Sequence, residues 1–298
     1  VKESILLSLR GGLFDRVALD NLPEGVWKRA GALNTWGTNA IEGNTLTWRD
    51  VERLLLEERS VSNRPVPDVL ETIQHERIFR ELLDMRKKPV NLVTVLNLHE
   101  GVFRGVKADA GQWRRVNVRI AGSKHIPPRM ERVVQSMENW IKEYGARDIG
   151  GENVFSLGAW MHHRFESIHP FADGNGRVGR LLLNLHFLRH NWPPLHVLPP
   201  DRKTYIGHME EAHDGDLSGL TEFFGVLMSR SLLDLLDQVG TDDDELRPLR
   251  RFEKATGHTA KYLSLRAGQG VLPAVKVAGD WYTSLIALKL YNQEVGRG

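Results

Sequence analysis

Twelve consecutive residues constrain this chain more than any other stretch: His169-Pro170-Phe171-Ala172-Asp173-Gly174-Asn175-Gly176-Arg177-Val178-Gly179-Arg180. They read as a short polar loop that opens a helix. Gly174, Gly176 and Gly179 let the backbone approach a ligand closely. Together with the unpaired N–H groups of a helix start, they can form a nest for an anion. Arg177 and Arg180 stand three apart, so on a helix they share a face and can reach one polyphosphate. Asp173 is a hard oxygen ligand of the kind Mg2+ accepts beside phosphate oxygens and water. Asn175 can either donate to a phosphate oxygen or fix the turn. His169, at the loop entrance, has an ordinary pKa near neutrality, which suits a general base acting on a hydroxyl. These residues point to a phosphate-binding loop with a base beside it. The competing reading is an ordinary Gly/Asn turn before a core helix, with surface arginines. No GxxxxGK[ST] stretch occurs, so a P-loop nucleotide site is not supported.

The same stretch resembles the HPFxDGNGRxxR signature of Fic-domain proteins at every defined position. The resemblance implies an all-α, Fic-type helical core. It also implies, as in most characterised members, transfer of AMP from ATP to a Ser, Thr or Tyr hydroxyl of a target protein. Carried over by position, His169 resembles the base that deprotonates the target hydroxyl, and Asp173 the Mg2+ ligand. Gly174, Asn175 and Gly176 resemble the cradle for the α- and β-phosphates. Arg177 would bind the β-phosphate and Arg180 the γ-phosphate. Phe171 would be the apolar anchor that pins the loop to the core.

Upstream, residues 27–41 carry apolar side chains at roughly helical spacing and end in Glu42-Gly43-Asn44, with Gly43 placed as a C-terminal stop. Thr47-Trp48-Arg49-Asp50 has the form of a capping box ahead of another apolar run. Thr38 and Glu42 are four apart and share a helix face, which by itself is a polar stripe near a helix end. Thr38-Asn39-Ala40-Ile41-Glu42-Gly43 also resembles the inhibitory (S/T)xxxE(G/N) motif found N-terminal to many Fic domains. That resemblance implies that Glu42 pairs with Arg180 and keeps it from the γ-phosphate. Helical periodicity continues over 68–85 and 92–103, where His99 is expected to be a packed or hydrogen-bonded core residue.

The pattern breaks at 111–128. Val116, Val118 and Ile120 alternate with polar residues, Gly122 offers a turn, and His125-Ile126-Pro127-Pro128 reads as a short return strand. A β-hairpin is expected here. It resembles the Fic flap, which docks the target segment, with Val116, Val118, Ile120 and Ile126 as the docking residues. An exposed strand edge holds an extended peptide by main-chain hydrogen bonds. Helices follow over 129–144 and 154–167, then beyond the loop over 181–189, 201–212 and 220–239. His162 and His163 with His169 match no HExxH-type metal spacing. Tyr205 resembles the aromatic that often lies near the nucleotide in the family; core packing is the other reading.

Thr241-Asp242-Asp243-Asp244-Glu245 is an acidic break and a candidate boundary. Beyond it, from Arg247 to Arg297, nine basic residues face three acidic ones. Helix, hairpin and helix in that order resemble a winged helix-turn-helix module. Such a module either contacts DNA or serves in dimer formation and packing. The expected organisation is an N-terminal helical region with the inhibitory helix (1–90), a catalytic core (91–240) and the C-terminal module (241–298).

A net charge of +2, from 40 basic and 38 acidic residues, argues neither for nor against nucleic acid at the level of the whole chain. The absence of cysteine excludes disulfides and thiolate metal sites and fits a reducing cytosol. No run is long enough to span a bilayer and no signal-peptide pattern is seen, so a cytoplasmic protein without a membrane partner is expected. The expected ligands are ATP with Mg2+ and a target protein with an exposed hydroxyl; self-modification and a homodimer are further expectations. Two other functions stay open. One is a DNA-binding regulator whose loop senses nucleotide. The other is the same fold with another reaction, either transfer of a different nucleotide or phosphocholine or removal of AMP.

Overall fold

Local signals in the sequence set most helix boundaries. The computed structural model describes residues 1–296; Arg297, counted above among the basic residues, lies outside them. In chain order the helices are α1 (Glu3–Phe14), α2 (Glu24–Ile41), α3 (Trp48–Val51), α4 (Val66–Met85), α5 (Leu92–Phe103), α6 (Val133–Ile149) and α7 (Val154–Ile168). They continue as α8 (Asn175–Arg189), α9 (Arg202–His213), α10 (Ser218–Val239), α11 (Glu253–Thr256), α12 (Ala260–Gly268) and α13 (Leu285–Val295). Among the described residues there are three strands: β1 (Arg247–Pro248), β2 (Val275–Val277) and β3 (Asp280–Thr283). Thr47 and Asp50 close the capping box read from the sequence. Asn91 and Thr94 form a second one that fixes the start of α5. Gly43, at φ +90°, ends the run after α2 in a backbone conformation that favours glycine. After α3 the chain continues as one π-helical stretch, Glu52–Leu56, which local propensity does not signal.

Contacts divide the chain into two units. The larger holds residues 27–221 and is built around α8. Val178, Leu181, Leu182, Leu183, Leu185, Phe187 and Leu188 are all at most 1% exposed, so this helix is buried all round. α7 and α4 pack against it, and α5 packs against both α4 and α8. Each such buried Leu or Phe contributes about 1.5–3 kcal/mol of apolar transfer, so the start of α8 is held from within. Because α4 joins α5 and α8, residues 27–90 lie in one unit with residues 91–221, where the sequence suggested a boundary at 90. The smaller unit combines residues 1–26 with residues from Glu222 onward. In it Ser4 Oγ donates to Glu294 Oε1 at 2.8 Å, and Lys2 pairs with the same carboxylate at 3.1 Å.

The protein is mostly helical, as expected, and the hairpin expected in the C-terminal module forms: β2 and β3 belong to an antiparallel sheet in the order β1-β3-β2, whose third strand, β1, the sequence did not signal. Val275 pairs with Tyr282 and Val277 with Asp280, while Arg247 pairs with Thr283 on the other edge. The tip, Ala278-Gly279, has positive φ at both residues, the geometry that matches strand twist in a two-residue hairpin. Conversely, the hairpin expected at 111–128 has no strand ladder. Its two arms are irregular, with bends at Arg115-Val116 and at Lys124, and meet at a turn where Ser123 N–H donates to Ile120 O at 3.2 Å. The return arm ends in Pro127-Pro128, which have no N–H to donate. The Arg114 guanidinium instead ties the arms, donating to Val116 O at 2.8 Å and to Pro128 O.

Candidate active site

Helix α7 delivers His169 to the loop. The residue caps α7 in the left-handed region, φ 50° and ψ 61°, with its N–H on Phe165 O at 3.0 Å. Its Nδ1 lies 3.3 Å from Glu166 O, an acceptor only, so Nδ1 carries the proton and Nε2 keeps its lone pair. Burial lowers the His169 pKa, with the nearby Arg114 charge acting the same way against the raising effect of the Glu166 carbonyl. The ring is therefore neutral and able to accept a proton near neutral pH.

The loop is held from below. Phe171 is fully buried and stacks on His99, with ring centroids 3.8 Å apart and planes 6° from parallel. His99 Nδ1 accepts from Gly111 N–H at 2.9 Å, which makes Nε2 the donor to Asp173 O at 3.1 Å. The Asn175 amide accepts from Phe171 N–H and donates to Phe171 O, both at 2.9 Å. Of the two roles open to Asn175, its side chain takes the turn-fixing one; toward a ligand it offers only its backbone N–H. Gly174 caps α8 at φ 84°, where a Cβ would strike the Phe103 ring.

Above this floor the charged residues converge. Arg180 is almost fully buried. Its Nε donates to Thr38 Oγ1 at 2.6 Å, and its Nη2 to Glu42 Oε1 at 2.6 Å and Thr38 O at 3.3 Å. Burial alone would weaken its charge, but Glu42, with Tyr205 and Glu166, together outweigh this and its pKa is raised. The Glu42 carboxyl is correspondingly held below its ordinary value: burial opposes ionisation, and the Arg180 charge and hydrogen bond win. Glu42 also fills the space a Cβ on Gly176 would need, so a larger residue at 176 would collide with it. Arg177 is tied to Glu71 of α4 and lies over the Phe103 ring at 4.5 Å. Asp173 is half exposed, with Oδ2 on Lys107 Nζ at 2.6 Å and Oδ1 on Gly174 N–H at 2.6 Å. Burial raises its pKa, but the Lys107 hydrogen bond and the Arg177 charge outweigh it and keep the carboxylate ionised. It is the loop carboxylate with the chemistry to hold a divalent cation.

Beside His169 lies a cavity of about 660 Å³ lined by Glu42, Ile120, Glu166, Gly176, Arg180 and Tyr205, among others. Its volume is in the range of small-molecule sites. The Tyr205 hydroxyl donates to His162 Nε2 at 2.6 Å, while His162 Nδ1 donates to Gly179 O at 3.1 Å. Glu166 is wholly buried with Oε1 lacking a hydrogen-bond partner among the described residues, and burial pushes its pKa up to about 8. The Ile120 side chain reaches the cavity, while Val116 and Ile126 are exposed at 55% and 64%. Val118 is half-buried. Sequence reasoning brought His169, Asp173, Arg177, Arg180, Thr38, Glu42 and Tyr205 to this place. It missed Glu71, Lys107, Arg114 and Glu166. Only Glu166 carried a local signal, since it lies one helical turn before His169.

The Fic/DOC family profile matches residues 89–187, a segment that contains the loop, α7 and most of α8. The chain carries a Fic/DOC domain. The Fic domain is related to curated adenylyltransferases. "Protein adenylyltransferase Fic" of Drosophila grimshawi is 27% identical over 198 residues, 64% of this chain and 40% of that protein. The Drosophila virilis protein of the same name is 26% identical over 237 residues, 78% of this chain and 48% of that protein. The chain thus spans less than half the length of these relatives. Among solved structures, a Fic domain-containing signaling protein from Bacteroides thetaiotaomicron superposes with a TM-score of 0.71 at 21% identity. That match covers 78% of this chain and 96% of the other. Fic-1 (residues 134–508) from C. elegans gives 0.67 at 22% identity over 79% and 72%. These likenesses establish the Fic fold. Among the described residues no helix is long and apolar enough to cross a membrane.

Proposed function

We propose that the protein is an adenylyltransferase that moves AMP from ATP to a Ser, Thr or Tyr hydroxyl of a target protein. The observation that carries this reading is a neutral His169, with Nε2 free to accept a proton, at the edge of a cavity that ends on the N-terminus of α8. His169 takes the hydroxyl proton. The hydroxyl oxygen forms a bond to the α-phosphorus, the bond from that phosphorus to the bridging oxygen breaks, and pyrophosphate leaves. The N–H groups at the start of α8, with Arg177 and Arg180, hold the charge of the phosphates. Asp173 would hold Mg2+, whose charge eases departure of pyrophosphate when bound.

The reading includes self-restraint. Glu42 and Thr38 engage the guanidinium that would otherwise take the γ-phosphate, and Glu42 stands over Gly176. Releasing that pair frees Arg180. Glu42→Gly protein incubated with ATP labelled at the α- or γ-phosphate should retain the α-label alone. Its labelling should exceed that of the unaltered protein by about tenfold or more, the size of an ordinary coupling between sites. Retention of the γ-label, or of neither, would refute adenylyl transfer. Retention of the α-label without a rise over the unaltered protein would refute the restraint.

A second reading concerns the smaller unit. The order α10, β1, the 3-10 turn Leu249–Phe252, α11, α12, β2, β3, with β3 central, supports a winged helix-turn-helix-like module. Salt-dependent binding of duplex DNA that survives His169→Ala would favour a nucleotide-sensing regulator instead.

A further inference from the structure

The flap has a charge unlike that of the chain around it. Between residues 113 and 132 six basic residues, Arg114, Arg115, Arg119, Lys124, Arg129 and Arg132, meet one acid, Glu131. The chain as a whole carries only +2, so everything outside the flap is net negative. Arg114 is buried and used internally. The other five are exposed, and none has an ion-pair partner among the described residues. This leaves the patch open to a partner of opposite sign.

Two further features say what that partner is. After the bend at Arg115-Val116, the backbone N–H groups of residues 117–120 make no backbone hydrogen bond, so this part of the arm is an open edge. Val116 and Ile126 lie exposed between the cations. A nucleic acid would answer the charge but leave the edge unpaired and the apolar side chains uncovered. An extended protein segment answers all three. The edge is also fixed in register with the base: Arg114 N–H donates to Pro170 O at 3.0 Å, and its Nε to His169 O at 2.8 Å.

We propose that the flap selects an acidic, extended segment of a partner protein. Main chain pairs with main chain along 117–120, Val116 and Ile126 cover apolar side chains, and Asp or Glu residues beside the modified hydroxyl meet Arg115, Arg119 and Lys124. The presence of a hydroxyl to modify rests on the adenylyltransferase reading; the charge preference does not.

The test is fluorescence anisotropy with the full chain and two labelled extended peptides. One alternates Asp or Glu with Ser and Val, and the other has Asn or Gln in place of each acid. The acidic peptide should bind on the order of tenfold more tightly at low salt, and the advantage should shrink as salt rises. Arg115→Gln/Arg119→Gln/Lys124→Gln protein, checked for an unchanged melting temperature, should lose the preference. Equal binding of both peptides to the unaltered protein overturns the proposal without use of any variant. So does a preference that survives neutralisation, or a single-stranded oligonucleotide that binds more tightly than the acidic peptide. Peptide preference alongside absent α-label transfer in Glu42→Gly protein supports the flap proposal while counting against adenylyl transfer.

Discussion

The signature loop and the flap border the same histidine and are held by opposite means. In the loop, side chains buried from solvent satisfy the backbone. Asn175 clasps Phe171 above and below, His99 bridges Gly111 to Asp173, and Phe171 is locked between His99 and Trp113. In the flap, one guanidinium does what a ladder of strand hydrogen bonds would do elsewhere. The difference separates two tasks. Chemistry needs groups fixed to a fraction of an ångström, whereas docking a partner chain needs an edge that stays open.

Substitutions can break or sharpen this contrast. The largest effect is expected at the base. His169→Ala should cut AMP transfer by about a thousandfold while ATP binding is kept, because a general base is lost and the phosphate cradle is not. Transfer rates from quantified α-label with ATP affinity from calorimetry decide this; retained transfer would remove His169 from the mechanism. Next comes the floor of the loop. Phe171→Ala should cost about 3–5 kcal/mol in denaturant unfolding, since it empties a fully buried stack. A cost near zero would mean that the loop is not held from below.

Arg114 is where the two regions meet, and its effect should be intermediate. Arg114→Gln strands the carbonyls of His169 and Pro128 and should cost about 2 kcal/mol, the penalty of buried acceptors left unpaired. Hydrogen exchange should then quicken at the Arg114 and Ser123 N–H groups and not in α8. Quickening in both would show that the regions are not separable. The smallest effect belongs to the exposed flap. Ile126→Ser should change stability by no more than about 0.5 kcal/mol. The target concentration at half-maximal rate should rise a few-fold. A large loss of stability there would place Ile126 in the core.

The same contrast explains what could be read in advance. The loop was legible because its residues are contiguous and each type has a narrow set of uses. The cap at Thr47 and the bounds of α5 were legible for the same reason, as local chemistry decides them. Glu71, Lys107 and Arg114 left no trace in the sequence. Their partners lie 106, 66 and 55 residues away, at Arg177, Asp173 and His169, and nothing local marks such pairings. The flap misled in another way. Val116, Val118 and Ile120 have the alternation of a strand, yet alternation reports only which side chains share a face. It does not report whether the opposite backbone can donate, and Pro127-Pro128 cannot. The unit division was hidden too, because the partners of α1 stand at the far end of the chain.

The ammonium of Lys107 on the outer oxygen of Asp173 has one more consequence. The loop already contains its own tethered counter-ion. A visitor to that carboxylate must evict a cation that loses little entropy by staying, so a singly charged ion gains almost nothing from the exchange. Double charge, or a ligand that brings its own anionic groups along, tips the balance. On the adenylyltransferase reading, this favours metal and nucleotide arriving as a pair.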